Sequence, residues 1–152
     1  MEEVIKNLED WTDPATKQML QNLVERKRKY DRLKNQHQLI LFVAVSFSCF
    51  YFYYVYRLIY LPHFHSVTAL FSAFFDDRYN PFFLFALLAV YGITGIWKRK
   101  ADEAEEEFEA LRREIIDKSK DLWDDGGSWK KRHIVFEIMK NHFDINLYHE
   151  NK

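Results

Sequence analysis

Leu39-Ile40-Leu41-Phe42-Val43-Ala44-Val45-Ser46-Phe47-Ser48-Cys49-Phe50-Tyr51-Phe52-Tyr53-Tyr54-Val55-Tyr56 runs for eighteen residues without a charge. After Arg57 the chain stays apolar to Leu61, where Pro62 is expected to break it. A hydrocarbon core about 30 Å thick takes about 20 helical residues, so 39–61 reads as a transmembrane helix. Arg57 lies near enough to its end to extend its guanidinium to the headgroups. A helix at the surface of a soluble core would keep one polar face, whereas Phe50 to Tyr56 is aromatic or apolar all the way round.

Working outward, Pro81 to Trp97 is a second uncharged block, of seventeen residues, that opens on a proline suited to a first helical turn and ends at Lys98-Arg99-Lys100. It reads as a second span. Orientation follows from the basic residues beside the spans. Six precede the first (Arg26, Lys27, Arg28, Lys29, Arg32, Lys34) and three follow the second, whereas the stretch between carries Arg57 and Arg78, the latter beside Asp76 and Asp77. Both termini are therefore expected in the cytoplasm of a multi-pass cell-membrane protein. Within the outer loop, 62–80, Val67, Leu70, Phe71, Phe74 and Phe75 recur at helical spacing, which predicts a helix over Ser66 to Phe75 lying flat on the membrane.

The flanking regions repeat an apolar spacing of three and four. Before the first span it runs through Met19, Leu23, Tyr30, Leu33 and His37; after the second it runs through Ala101, Ala104, Phe108, Leu111, Ile115 and Leu122. The predicted fold is all-α: a two-span hairpin prolonged into an antiparallel, coiled-coil-like cytoplasmic hairpin formed by 1–38 and 98–125. Placing residues 38 and 98 at one depth sets the basic run 26–34 opposite the acidic run Asp102, Glu103, Glu105, Glu106, Glu107 and Glu109. Asp124-Asp125-Gly126-Gly127 should end the acidic helix. Ser128 should cap a short amphipathic helix within 126–152, with Ile134, Val135, Ile138, Met139 and His142 on one face. That face either folds back on the hairpin, the favoured reading, or docks a partner. Val4, Ile5, Leu8 and Trp11 form a shorter amphipathic piece closed by Thr12-Asp13-Pro14, whose packing face is suited to the same final helix.

No constellation of residues supports catalysis, and the expectation is a protein that is not an enzyme and holds no cofactor and no metal. Cys49, alone and inside the first apolar block, allows no internal disulfide. A signal peptide would put an apolar stretch within the first couple of dozen residues, and 1–38 is polar and charged, so the first span is expected to be retained. His63 and His65 are a weak metal signal without a third ligand, and His133, His142 and His149 share no ligand spacing. Asp76 and Asp77 are the sharpest candidates: in an oligomer they would ring the outer mouth of a pore, although capping of the following helix is the simpler role. The basic run suits a charge zipper first and anionic lipid second, and nucleic acid is not an expected partner. Small residues (Ala44 and Ser48; Ala86, Ala89, Gly92 and Gly95) permit one close helix contact in the bilayer.

Thr12-Asp13-Pro14-Ala15-Thr16-Lys17-Gln18-Met19-Leu20, the Arg26-Lys27-Arg28-Lys29 run and an acidic helix after the second span together resemble the YpbF-like family of uncharacterised two-span proteins from Bacillus-type bacteria. The resemblance covers nearly the whole chain and implies a bacterial cytoplasmic membrane. It brings no activity. The expected function is a non-enzymatic scaffold or regulatory accessory protein whose partners are the bilayer and either another protein or its own copies, met through the cytoplasmic helices. The alternative is a small oligomeric channel or holin-like pore with Ser46, Ser48 and Thr94 toward its lumen. A reporter active only outside the cytoplasm should be silent when fused after Lys152 and active after His65; the opposite pattern overturns the orientation.

Overall fold

Thr12-Asp13-Pro14 starts the first long helix for a local reason. Asp13 accepts the Ala15 N–H on Oδ2 (3.0 Å) and the Lys17 N–H on its carbonyl (3.0 Å), while Pro14 occupies the first helical position, where no N–H is needed. The computed structural model describes residues 2–8, 12–123 and 128–148. Among them every regular element is helical: α1 (Glu3–Lys6), α2 (Pro14–Tyr54), a π-helical segment (Val55–Tyr60), α3 (Leu61–His63), α4 (Val67–Asp76), α5 (Asn80–Asp117), α6 (Ser119–Leu122) and α7 (Ser128–Phe143). Trp11, the Asp124 to Gly127 break and His149 lie outside the described residues. The chain divides into two units, Met1–Arg32 with Asp102–Lys152, and Leu33–Ala101.

The first unit closes around a core that its sequence spacing only partly announces. Leu20, Leu23 and Val24 of α2, Phe108, Ile115 and Ile116 of α5, and Val135, Phe136 and Met139 of α7 are all less than a tenth exposed. Each set holds residues three, four or seven apart, or next to one another, and so lines a single helix face. Ile5 and Leu8 add the N-terminal piece. Gln21 ties that piece to α2, accepting the Glu2 N–H (2.8 Å), and Lys17 Nζ donates to the Leu8 carbonyl (2.6 Å). Between α2 and α5 the contacts descend on one helix as they rise on the other. Arg26 reaches residue 107 and Tyr30 reaches residue 105, with the Tyr30 and Phe108 rings stacked.

One boundary differs from expectation here. The acidic helix does not run straight to residue 125: α5 ends at Asp117, and after a turn at Lys118 the short α6 follows. The turn accompanies the burial of Trp123, 1% exposed, whose ring meets Phe136 edge-on at 5.7 Å. Beyond α7, Asp144 takes a left-handed conformation (φ 55°) and donates its N–H to the Lys140 carbonyl (3.1 Å), an αL stop that asparagine and aspartate tolerate better than most residues. The chain then lays Ile145 and Leu147, both fully buried, against the core.

The second unit is built from residues 33–101. Here α2, the π-helical segment and α3 continue without interruption to His63, past the Pro62 that was expected to stop them. Proline in a regular α-helix collides with the carbonyl four residues before it and donates no hydrogen bond. The π turn, closed by the Leu61 N–H on the Tyr56 carbonyl, widens the backbone just before Pro62 and accommodates the ring. His63 Nδ1 lies 3.0 Å from the Ile59 carbonyl, and since a carbonyl only accepts, this nitrogen carries the proton. Ser66, in extended conformation, caps α4 through the Ala69 N–H. Along α2 and α5 the unit is joined by Phe83, whose ring lies 5.3 Å from Tyr54 and 6.3 Å from both Phe47 and Phe50. A hydroxyl contact of 3.0 Å between Ser48 and Tyr91 adds to these.

The two units treat apolar side chains in opposite ways. Two helical stretches, Pro14–His63 and Asn80–Asp117, contain windows long and apolar enough to cross a membrane, and 11% of each window is buried. Phe42, Phe82 and Phe85 are about 70% exposed. In the first unit the core is closed, and there a substitution should separate core from surface. Met139→Ala is expected to cost about 2–5 kcal/mol of unfolding free energy, and Ile134→Ala within about 0.5 kcal/mol of nothing, by denaturant titration of the purified chain. Equal effects would contradict the placement of α7.

Candidate functional site

The turn between α4 and α5 holds the acidic pair singled out from the sequence. Asp76 ends α4 and is exposed; Asp77 is half-buried in the turn. The Asp77 carboxylate is engaged on both oxygens: Tyr54 OH donates to Oδ2, and the Tyr79 N–H donates to Oδ1 (3.3 Å). Beside it Asn80, 1% exposed, accepts from Tyr51 OH on Oδ1 (2.9 Å) and donates from Nδ2 to the Phe74 carbonyl (2.8 Å). That last bond satisfies a carbonyl of the final turn of α4 that its own helix leaves without a partner. Tyr51 and Tyr54, one helical turn apart on α2, thus pin the turn to the helix. Asp77 serves as an anchor for the turn, and its carboxylate is not aimed at open space. Neither Asn80 nor Tyr51 stood out in the sequence, because the two lie twenty-nine residues apart.

The proposed lumen groups are also engaged. Ser48 Oγ donates to the Ala44 carbonyl (2.8 Å), and Thr94 Oγ1, on a residue 7% exposed, donates to Val90 (2.9 Å). Ser46 is exposed. Ala44 is fully buried, as a close contact requires, but a side-chain carbon built on Gly92 or Gly95 would meet nothing within 4 Å. The small row of α5 therefore faces outward over its glycines.

The apolar face of α7 folds inward, the reading favoured from the sequence, and leaves little of the alternative docking surface. Val135 is fully buried, Met139 is 1% exposed and Ile138 packs against the core, which leaves only Ile134, 41% exposed, of the four expected residues. His142 is exposed. The reason is geometric: Val135, Phe136 and Met139 subtend one side of the helix, and that side meets Trp123 and the returning Ile145 and Leu147. Phe136, the residue the spacing passed over, is 5% exposed.

Charge pairing in the first unit is narrower than a full zipper. Lys29 pairs with Glu107 at 2.8 Å, where counting residues outward from 38 and 98 puts them, and Arg26 donates to the Glu107 carbonyl (2.8 Å). Arg28 turns instead to Glu2 (2.6 Å), and Lys27 to Asp31 (3.1 Å), with its ammonium over the Tyr30 and Phe108 rings. The hydrogen bond from Lys29, and then its charge, hold the Glu107 carboxyl below the usual glutamate range. These groups lie at the surface, where such pairs add little stability.

Two hollows remain. An apolar cleft of about 310 Å³ in the second unit is lined by Val55, Ile59 and Tyr60 of the π-helical segment and by Leu70, Phe71, Phe74 and Phe75 of α4. A smaller one of about 180 Å³ in the first unit is lined by Ile116, Ser119, Arg132, His133, Phe136, Leu147 and Tyr148. Among the described residues no three His, Cys, Asp or Glu side chains converge as metal ligands would. If Tyr54 anchors Asp77, Tyr54→Phe and Asp77→Ala should each destabilise the purified chain. Their double-mutant cycle should give a coupling of about 1.5–3 kcal/mol, the range for a hydrogen bond to a charged group; strictly additive losses would break the link.

The family described as "Protein of unknown function (DUF2663)" matches residues 19–150. The chain is 35% identical over 152 residues to the "Uncharacterized protein YpbF" of Bacillus subtilis (strain 168), with all of both chains covered. No solved structure matches the chain.

Proposed function

The chain belongs to the DUF2663 family, the YpbF-like group, and from that premise we propose a non-enzymatic membrane scaffold or regulatory accessory protein. It crosses the cell membrane twice as a helical hairpin and keeps both termini in the cytoplasm. The observation that carries the reading is the contrast between the units. One buries its apolar side chains around a closed core, and the other leaves most of two spanning-length apolar stretches uncovered. A soluble protein would bury such stretches, whereas hydrocarbon wets them at no cost. The backbone argument agrees, since helices satisfy their own polar groups in lipid. Lysines and arginines concentrated beside 39–61 and 81–97 on one side supply the orientation.

The scaffold reading rests on surface. Among the described residues of the first unit, Ile134 and Tyr148 are the large apolar side chains that stay well exposed, each at 41%, and they are where a partner would bury apolar area. The pore reading is weaker, because the Asp77 carboxylate, Ser48 and Thr94 are engaged within the unit.

Cross-linking and affinity capture from intact cells test the scaffold. Truncation after Asp125 is a poor control, since it strips Val135, Phe136, Met139, Ile145 and Leu147 from the core. Ile134→Glu changes the surface alone. A distinct protein captured with the full chain and lost with Ile134→Glu supports the scaffold and its contact; self-cross-linked multimers as the sole product would put the oligomeric pore ahead of it.

A further inference from the structure

The cleft between the π-helical segment and α4 is a built feature of the fold. The π turn that accommodates Pro62 shifts the residues after it round the helix axis, and Val55 and Ile59 form one wall of the cleft. The other wall is the apolar face of α4, where Leu70 and Phe74 are half-buried while Phe71 and Phe75 stand 63% and 72% exposed at the cleft. Every lining side chain is aliphatic or aromatic, and Tyr60 alone carries a polar atom.

We propose that this cleft holds one acyl chain of a membrane lipid, an inference that rests on the spanning reading above. The cleft is open along one side, and its aliphatic and aromatic lining favours an apolar occupant. Its volume, about 310 Å³, stands at the small end of ligand sites, which run from about 300 to 1,000 Å³. The surroundings identify the occupant. Leu58 and Leu61 on one side and Phe71 and Phe75 on the other are exposed and apolar, so the medium that reaches the cleft is the one that wets the spans. A hydrocarbon chain seated there would fasten α4 against the end of the first long helix.

The test uses the full chain in vesicles of phosphatidylethanolamine and phosphatidylglycerol containing a phospholipid with a photoactivatable diazirine on its acyl chain, with adducts mapped by mass spectrometry. Adducts are expected to be several-fold denser on Ile59, Leu70 and Phe74 than on Leu41, Phe42 and Leu88 of the spans. Leu70→Trp, which fills the cleft, should remove most of the cleft adducts and leave those on the spans. Phe74→Ala, which enlarges the cleft, should keep them, and serves where Leu70→Trp fails to fold. Adducts on the spans with none concentrated in the cleft overturn the proposal and leave the spanning reading standing. Adducts on neither overturn both. Cleft residues that cross-link to a second copy in place of lipid also overturn it.

Discussion

From Leu39 to Tyr56 no side chain carries a charge, and with so few polar side chains at hand each backbone N–H and C=O is satisfied within the helix itself. That constraint makes the segment helical and keeps it helical past Pro62. The π turn is its local consequence: the proline cannot donate and its ring needs room, and the chain shifts to longer-range hydrogen bonds over Val55–Tyr60 before continuing to His63. The cleft beside α4 lies against that same segment.

The first unit obeys a different rule. Its helices are amphipathic, and each buries one face because water surrounds the other. Closing the core takes pieces from both ends of the chain: α1 through Ile5, and the tail after Asp144 through Ile145 and Leu147. Trp123 fills the centre, 1% exposed with its Nε1 lacking a hydrogen-bond partner. The large ring therefore contributes by area and by its edge-on contact with Phe136, at the cost of one unsatisfied donor.

At the turn between α4 and α5, polar groups act as fasteners in a largely apolar unit. Asn80 uses its carbonyl and its amide in opposite directions, toward Tyr51 and toward the end of α4. Asp77 gathers Tyr54 and a backbone amide. Such bonds gain strength where competing water is scarce. That is a reason for two tyrosines one turn apart to face the turn when their neighbours Tyr53 and Tyr56 face outward.

Much of this was legible in the sequence because it depends on local pattern. Helix over nearly the whole chain followed from periodicity and scarce glycine and proline. The helix over Ser66 to Phe75, the start at Pro14, and the facing of Lys29 and Glu107 followed from spacing and simple counting. Membership of the family followed from whole-chain resemblance. What the sequence left open depended on contacts between distant residues. An amphipathic face reads the same whether it awaits a partner or meets its own chain, so only the tertiary structure took Val135 and Met139 into the core and left Ile134 outside. A carboxylate before a helix reads the same whether it lines a mouth or anchors a turn; the two cases differ only in whether a donor such as Tyr54, twenty-three residues away, arrives in space. Periodicity records which side of a helix is apolar, and the three-dimensional packing of the chain decides what covers it.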